Sequence, residues 1–365
     1  MDVRLDQPSA DQPSAEQPSA EPPSADQPSA EPPAAEPSGL ALPRFTELIS
    51  KRQARRDRWR HNAVSWMTIP LRGLGRTAAP GSFGVLMYHR VCPLPRHRFA
   101  PTYNVPPDRF GQQLAGLLKR GYKAWPLARL IAAKAAGEMV DEKVFAVTFD
   151  DGYANNLIYA LPVLESLKIP ATLFLATAYL DSELPFPFDN WMEQPDPAIP
   201  ESTWRPMTRA QCHQFCDSPL IQLGCHTHTH ADFRGDVAAL KREIRHCNAI
   251  LEREFGVQSP PYAYPFGVSK AGFATPEMGR IARAAGCSSA FRTDNELVTG
   301  QDDLFFMPRF DVASGDNGAS LAGKLDGWAG SIRALARGAR SGWRRSGRAR
   351  SGRARSGRAR SGRGR

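Results

Sequence analysis

A parallel α/β domain, open or closed into a barrel, is what the middle of this 365-residue chain predicts. Short β-rich apolar runs alternate with helix-like patterns over about 230 residues, which is the signature of repeated strand–helix units. Chemically reactive side chains sit at the carboxyl ends of those runs, where the loops of a parallel sheet share one face. No run approaches the ~18 apolar residues that a membrane-spanning helix requires.

The elements follow in chain order. FGVLMYH (83–89) is the first strand and ends in His89. Pro107 and Asp108 open a helix over 107–120, and Gly121 stops it. VFAVTFDD (144–151) is a buried strand closed by Asp150 and Asp151, and a helix over 153–168 leads to the strand ATLFLATAY (171–179). IQLGCHT (221–227) brings His226, and a long helix spans 235–255. YAYPFG (262–267) is a strand and turn, Pro276 starts a helix over 275–285, and CSSAFRT (287–293) and FFMPRF (305–310) complete seven strands.

Composition bounds the rest. Hydrophobic residues make up 41% and charged residues 23%, so an ordinary core is available. Six cysteines at this length exclude a disulfide-stapled secreted scaffold. Cys212 and Cys216 lie in a helical run with no second pair to complete a zinc site, so they read as packing residues. The net charge of +10 is mostly a property of the ends: residues 1–37 carry about −7, while 331–365 hold thirteen Arg and no acid. Residues 6–37 repeat Gln-Pro-Ser-Ala-Asp/Glu, and about 340–365 repeat Arg-Ser-Gly-Arg-Ala. Regular proline in the first and dense like charge with glycine in the second predict disordered arms. The boundaries predicted are an arm over 1–43, a basic and partly helical linker over 44–80, a folded domain over 81–313, and a linker with the Arg-rich tail over 314–365. The basic stretch with Trp59 and Trp66 reads as a solvated helix, or as an interfacial helix resting on anionic lipid. MDVRLDQPSA has neither the basic nor the apolar part of a signal peptide, so a cytoplasmic location, or one at the inner membrane face, is expected.

Two clusters carry metal chemistry. Thr148-Phe149-Asp150-Asp151-Gly152-Tyr153 ends a buried strand in two carboxylates, a costly pair unless a cation neutralises them. Neighbouring side chains diverge, so one Asp can face a metal while the other faces its water. His226-Thr227-His228-Thr229-His230 supplies imidazoles, which suit zinc and similar ions. A helical turn brings His226 and His230 to one face; a continued strand aligns His228 with them as well. One Asp, two His and a water make an open hydrolytic site, with the second Asp as proton acceptor and His89 as a proton donor from another strand. Aromatics of Phe186-Pro187-Phe188-Asp189-Asn190-Trp191 lie in a long loop, where they either pack or stack on sugar rings.

In this order the clusters resemble the polysaccharide deacetylase family, also called the NodB-homology domain or carbohydrate esterase family four. TFDDGY matches its first motif and His226–His230 its H-[ST]-x-x-H motif, over roughly 81–313. The resemblance implies a distorted parallel (β/α)7-type barrel between the two arms, holding a divalent metal, usually Zn2+, with Co2+, Ni2+ or Fe2+ as alternatives. It implies Asp151, His226 and His230 as ligands and Asp150 as general base, leaving His228 at a variable position. Two departures stand out. Ala263 occupies the place of the Arg that orients the base, and no histidine follows His246 to supply the usual late acid. Tyr88-His89-Arg90 and the YPFG turn are instead similar to the permuted branch that includes poly-N-acetylglucosamine deacetylases. That likeness places the acid on His89 and the oxyanion donor on the Phe266 backbone N–H; Arg309, in MPRFDV on the last strand, is read separately as a replacement for the missing Arg near Asp150. Tyr264 and Trp191 are expected at the substrate.

The implied function is a metal-dependent hydrolase acting on carbon–nitrogen bonds other than peptide bonds, removing N-acetyl groups from N-acetylglucosamine-containing glycans in carbohydrate metabolism. The rivals are an inactive glycan-binding relative and an anionic-polymer binder acting through the Arg tail. The basic segments give non-specific contacts with anionic polymers or a membrane surface, and no specific nucleic-acid partner is expected.

Overall fold

The structure, a computed structural model, describes residues 67–71 and 75–332, apart from 96–99, 141–142, 190 and 193. The two repeat arms and the Trp59–Trp66 part of the basic segment lie outside the described residues. All seven predicted runs contain strands: β1 (Gly84–Tyr88), β3 (Val144–Phe149), β4 (Ala171–Leu175), β5 (Ile221–Cys225), β6 (Tyr262–Ala263), β7 (Ala290–Arg292), and a last run split into β8 (Met307–Pro308) and β9 (Phe310–Asp311). A short β2 (Lys123–Ala124) pairs with the start of β3.

Every strand pairing is parallel, in the order β8-β7-β6-β5-β4-β3-β1-β9. The two ends of that order are one stretch of chain. β8 pairs with β7 and β9 with β1, so residues 307–311 close the sheet into a distorted barrel of seven staves with Arg309 at the break. Pleating then sorts side chains by parity. Val85, Ala146, Phe174, Ala263, Phe291 and Met307 fill the interior with Phe83 and Val144. Leu86, Tyr88, Phe145, Val147, Phe149, Leu173, Leu223, Cys225, Tyr262 and Phe310 face the helices. The interior is tight enough to demand Gly224: a Cβ there would stand 2.5 Å from the Phe174 ring.

The helices cover the outer face. α1 (Pro107–Leu118) starts at a proline and buries Phe110, Leu114 and Leu117, one side of a 3.6-residue repeat. α2 (Leu127–Ala135) is not anticipated by the sequence reading. The predicted helix at 153–168 is present from residue 154, with a π turn over Asn156–Ala160 that runs into α3 (Leu161–Leu167). α4 (Arg209–Cys216) begins in a capping box made by Thr208 and Gln211. Cys212 is buried in it and Cys216 half-buried, one turn apart. α5 (Val237–Phe255) ends at Gly256 with a left-handed φ of 68°, and α6 (Pro276–Ala284) is capped by Thr275.

The predicted domain boundary at 313 falls short. α7 (Gly318–Leu325) packs on α1, where Gly116 meets Gly318. Asp316, fully buried, binds Lys324 Nζ at 2.8 Å and Ser320 Oγ at 2.9 Å. The chain before β1 is docked here too: Thr77 and Ala78 N–H groups donate to Asp326 O, and Trp328 Nε1 donates to Gly75 O. Linker composition hides this contact, because the few large apolar residues, Leu321 and Leu325, are interspersed with glycine and polar residues. No helix among the described residues is long and apolar enough to cross a membrane.

A Cβ at Gly116 would stand 2.8 Å from the Gly318 backbone. Gly116→Ala should therefore destabilise the fold by about 1–3 kcal/mol, the usual cost of overpacking, with divalent-metal binding unchanged. Urea denaturation beside metal titration checks both halves.

Candidate active site

Inward parity carries four functional side chains to the barrel mouth: His89 after β1, Asp150 after β3, His226 after β5, and Arg309 between β8 and β9. With Asp151, His230 and Phe266 they surround a cleft of about 480 Å³; Arg309 alone lies beneath it, fully buried.

Asp150 is 2% exposed and would be unstable as an anion by itself. Arg309 answers it bidentately, Nη1 donating to Oδ1 at 2.6 Å and Nη2 to Oδ2 at 2.7 Å. Nη1 also donates to Thr148 Oγ1 at 3.3 Å, whose own proton goes to Leu86 O at 2.9 Å. Burial pushes the Asp150 carboxyl up, but Arg309 and then His226 outweigh it and the net shift is downward. Asp150 is thus held ionised in one orientation. Ala263 contributes only a methyl group to the interior, and the Arg309 guanidinium lies over the Phe174 ring at 5.2 Å.

Asp151, His226 and His230 offer ligand atoms that all lie within 4.8 Å of one another. His226 Nε2 is 3.4 Å and His230 Nε2 3.7 Å from Asp151 Oδ1. His226 Nδ1–H donates to Ala263 O at 2.8 Å, which fixes the tautomer and turns Nε2 into the site. Asp151 Oδ1 is buried without a hydrogen-bond partner. Burial raises its carboxyl, while the approach of His226, and then of His89 and His230, holds it well below the usual carboxylate range. Burial, joined by neighbouring His226, pushes His230 down to about 3, so this ring is neutral at physiological pH. An ionised oxygen lacking a partner, beside two imidazole nitrogens, is a donor set that suits a borderline cation such as zinc. The residues fit the implied metal.

Backbone strain builds this geometry. Asp151, Thr227, His230 and Phe266 all have left-handed φ values, of 74°, 65°, 53° and 60°. Each costs of order 1 kcal/mol or more and persists where the surroundings impose it. For the histidine loop the constraint is visible. Thr227 Oγ1 accepts from His230 N–H at 3.0 Å, and Glu243 Oε2 on α5 accepts from the N–H groups of His228 and Thr229 and from Thr229 Oγ1. The loop curls, so His226 and His230 converge and His228 turns away. His228 stacks on His246 at 4.1 Å and bonds Thr177 Oγ1, which removes it from the ligand set.

Other expectations fare differently. His89 lines the cleft with its ring stacked on Tyr103 at 4.7 Å and its Nδ1 buried without a partner. Phe266 lines the cleft beside His230, ring centroids 4.8 Å apart. Tyr264 touches the cleft but is 1% exposed, and its hydroxyl donates to Phe305 O at 2.6 Å. Its outward parity makes it a packing residue with no polar group for a ligand. Trp191 does not line the cleft; it packs with Met192, Ile199 and Trp204. Phe188 of the same loop is the aromatic residue at the site, stacked on His230 at 3.9 Å. Its ring differs from its neighbours' only by where the loop folds, a signal the local sequence lacks. Glu243 likewise sits thirteen residues beyond His230, on an ordinary amphipathic helix.

Comparison with known proteins agrees with this geometry. The polysaccharide deacetylase family profile matches residues 137–287, which include the Asp150-Asp151 and His226–His230 motifs. Over that stretch the chain is similar to the polysaccharide deacetylase family. Poly-beta-1,6-N-acetyl-D-glucosamine N-deacetylase of Escherichia coli (strain K12) is 27% identical over 119 residues, 32% of this chain, and the match spans only 16% of that relative's length. The protein YxkH of Bacillus subtilis (strain 168) is 28% identical over 252 residues, covering 69% of this chain and 78% of that one. Two solved structures share the deacetylase fold. The Streptococcus pyogenes deacetylase PplD, in complex with acetate, superposes with a TM-score of 0.56 at 18% identity, over 68% of this chain and 99% of that one. IcaB from Ammonifex degensii gives 0.53 at 23%, over 68% and 97%.

Glu243 tests how the candidate site holds its shape. Glu243→Ala should weaken metal binding about 10- to 100-fold, as loss of an outer support for a ligand loop does, while Glu243→Gln loses less. Calorimetric Zn2+ titration of the purified variants measures it.

Proposed function

We propose that the chain is a metal-dependent hydrolase that removes acetyl groups from N-acetylated glycans, with N-acetylglucosamine units as the substrate class. The observation that supports it most is the pairing of one carboxylate locked by Arg309 with a second carboxylate that has an orphaned oxygen between two imidazoles. Two adjacent Asp side chains are given two different tasks by their surroundings.

Asp151, His226 and His230 would hold the ion, with Zn2+ the best match to one oxygen and two nitrogen donors. A divalent ion bound there would polarise an amide carbonyl and acidify a water molecule. Asp150 then accepts the proton of the attacking water. Arg309 keeps Asp150 anionic and aimed, at some cost in basicity, since a close cation lowers a carboxylate's proton affinity. His89, from the stave next to that of Asp150, donates a proton to the departing amine nitrogen. The Phe266 backbone N–H is assigned to the developing oxyanion, in keeping with its strained conformation at the cleft. The products are acetate and a free amino sugar.

The relatives' names supply the substrate class: the Escherichia coli match is a poly-beta-1,6-N-acetyl-D-glucosamine N-deacetylase. The roles divide cleanly under mutation. Asp150→Asn should lower acetate release from N-acetylglucosamine oligomers by about 100-fold or more, as loss of a general base does, with metal content retained. His226→Ala should lose metal and activity together, and a chelator should abolish wild-type turnover reversibly. Metal analysis coupled to an acetate assay reads all three; an Asp150→Asn variant of wild-type rate would falsify the assignment.

A further inference from the structure

One buried cation in the cleft wall is used by neither the metal cluster nor the base. Arg90 follows His89 at the end of β1 and is 1% exposed. Its charge is matched by Asp189, in the loop between β4 and α4, through a hydrogen-bonded ion pair from Nη2 to Oδ2. Its other terminal nitrogen, Nη1, donates to Thr102 O at 3.0 Å, and its backbone N–H donates to Tyr103 O at 3.3 Å. The guanidinium lies 4.1 Å over the Tyr153 ring. Arg90 therefore ties together two loops that are far apart in sequence.

Each tied loop delivers an aromatic plate to one imidazole of the site. Tyr103, next to Thr102, stacks on His89 with 4.7 Å between centroids and 22° between planes. It is held there with a φ of 53°, a conformation an aromatic residue adopts only under constraint. Phe188, next to Asp189, stacks on His230 with 3.9 Å and 23°. The carboxylate of Asp189 is further occupied by Trp191 N–H at 2.9 Å, so the turn carrying Phe188 has one fixed shape.

We propose that Arg90 is a positioning residue that clasps the Tyr103 and Phe188 loops, and so sets the orientation of His89 and His230 jointly. This rests on the functional reading above for its kinetic consequence, but not for its structural one. A planar fork suits the task. It binds a carboxylate and a carbonyl at once in fixed directions, which a lysine ammonium does not. Both charges are buried, so the clasp has little freedom to swing with solvent. The two plates would close on the cleft from opposite loops, and substrate fit would depend on both remaining in place.

The test uses the full-length protein with 13C-labelled histidine, whose eight histidines keep the spectrum simple. Ring-current shifts report the stacking of each imidazole directly. Phe188→Ala should move the His230 resonances alone, and Tyr103→Ala those of His89 alone. Arg90→Met combined with Asp189→Leu removes both buried charges, and so avoids leaving one unpaired. It should keep a near-native melting temperature yet move both histidines together. The same variant should lower kcat for acetate release about 100-fold, the scale of a 1 Å misplacement, with metal content unchanged. Asp189→Asn, which keeps the shape and removes the charge, is the milder variant should the double one not fold, and should move both signals less. Unmoved His89 and His230 signals in a folded Arg90 or Asp189 variant overturn the clasp. If the wild type releases no acetate from any oligomer, the hydrolase reading fails while the resonance shifts still decide the clasp.

Discussion

A carboxylate at the mouth of an apolar barrel cannot stay ionised without a cation at hydrogen-bonding distance, and Arg309 supplies it to Asp150. Much of the site depends on that pair. With Asp150 neutralised locally, a second carboxylate can stand next to it, facing two imidazoles rather than a lysine or arginine. Asp151 is thereby left with an unsatisfied buried oxygen, the feature that makes the cluster suited to a metal. Without Arg309, two adjacent buried carboxylates would repel, and one would take up a proton.

The pair also explains why Ala263 is tolerated where a larger basic residue is expected. The barrel interior has a limited volume, filled by Phe174, Phe291 and Met307. One guanidinium fits over the Phe174 ring. It enters from the last stave instead of from β6, and the methyl of Ala263 leaves the interior uncrowded. Ala263 keeps a task of its own through its carbonyl, which orients His226.

How much of this was legible in the sequence divides along a physical line. The strands were legible because most lie in short, largely apolar runs, and the two motifs because their reactive residues are contiguous. Strand parity then decided what composition could not. Tyr264 was expected at the substrate, but its place just after β6 packs its ring with Tyr262 and leaves it only touching the cleft. His228 stays a rival until the turn imposed by Glu243 is seen. Phe188, Glu243 and Arg90 act through neighbours distant along the chain, and no local pattern marks them. The α1–α7 contact was hidden for another reason: α7 is only two turns long, and Leu321, Ala322 and Leu325 on its buried side stand among glycines.

Barrel closure has a temporal side. Residues 307–311 are the seam that joins β7 to β1, and the same five residues carry the guanidinium that Asp150 needs. During synthesis the two aspartates and both histidines leave the ribosome well before this seam does. Without it β7 has no connection to β1, and the paired acids lack their counter-charge. Shape and site electrostatics therefore share one short stretch of chain, so whatever detaches it costs both together.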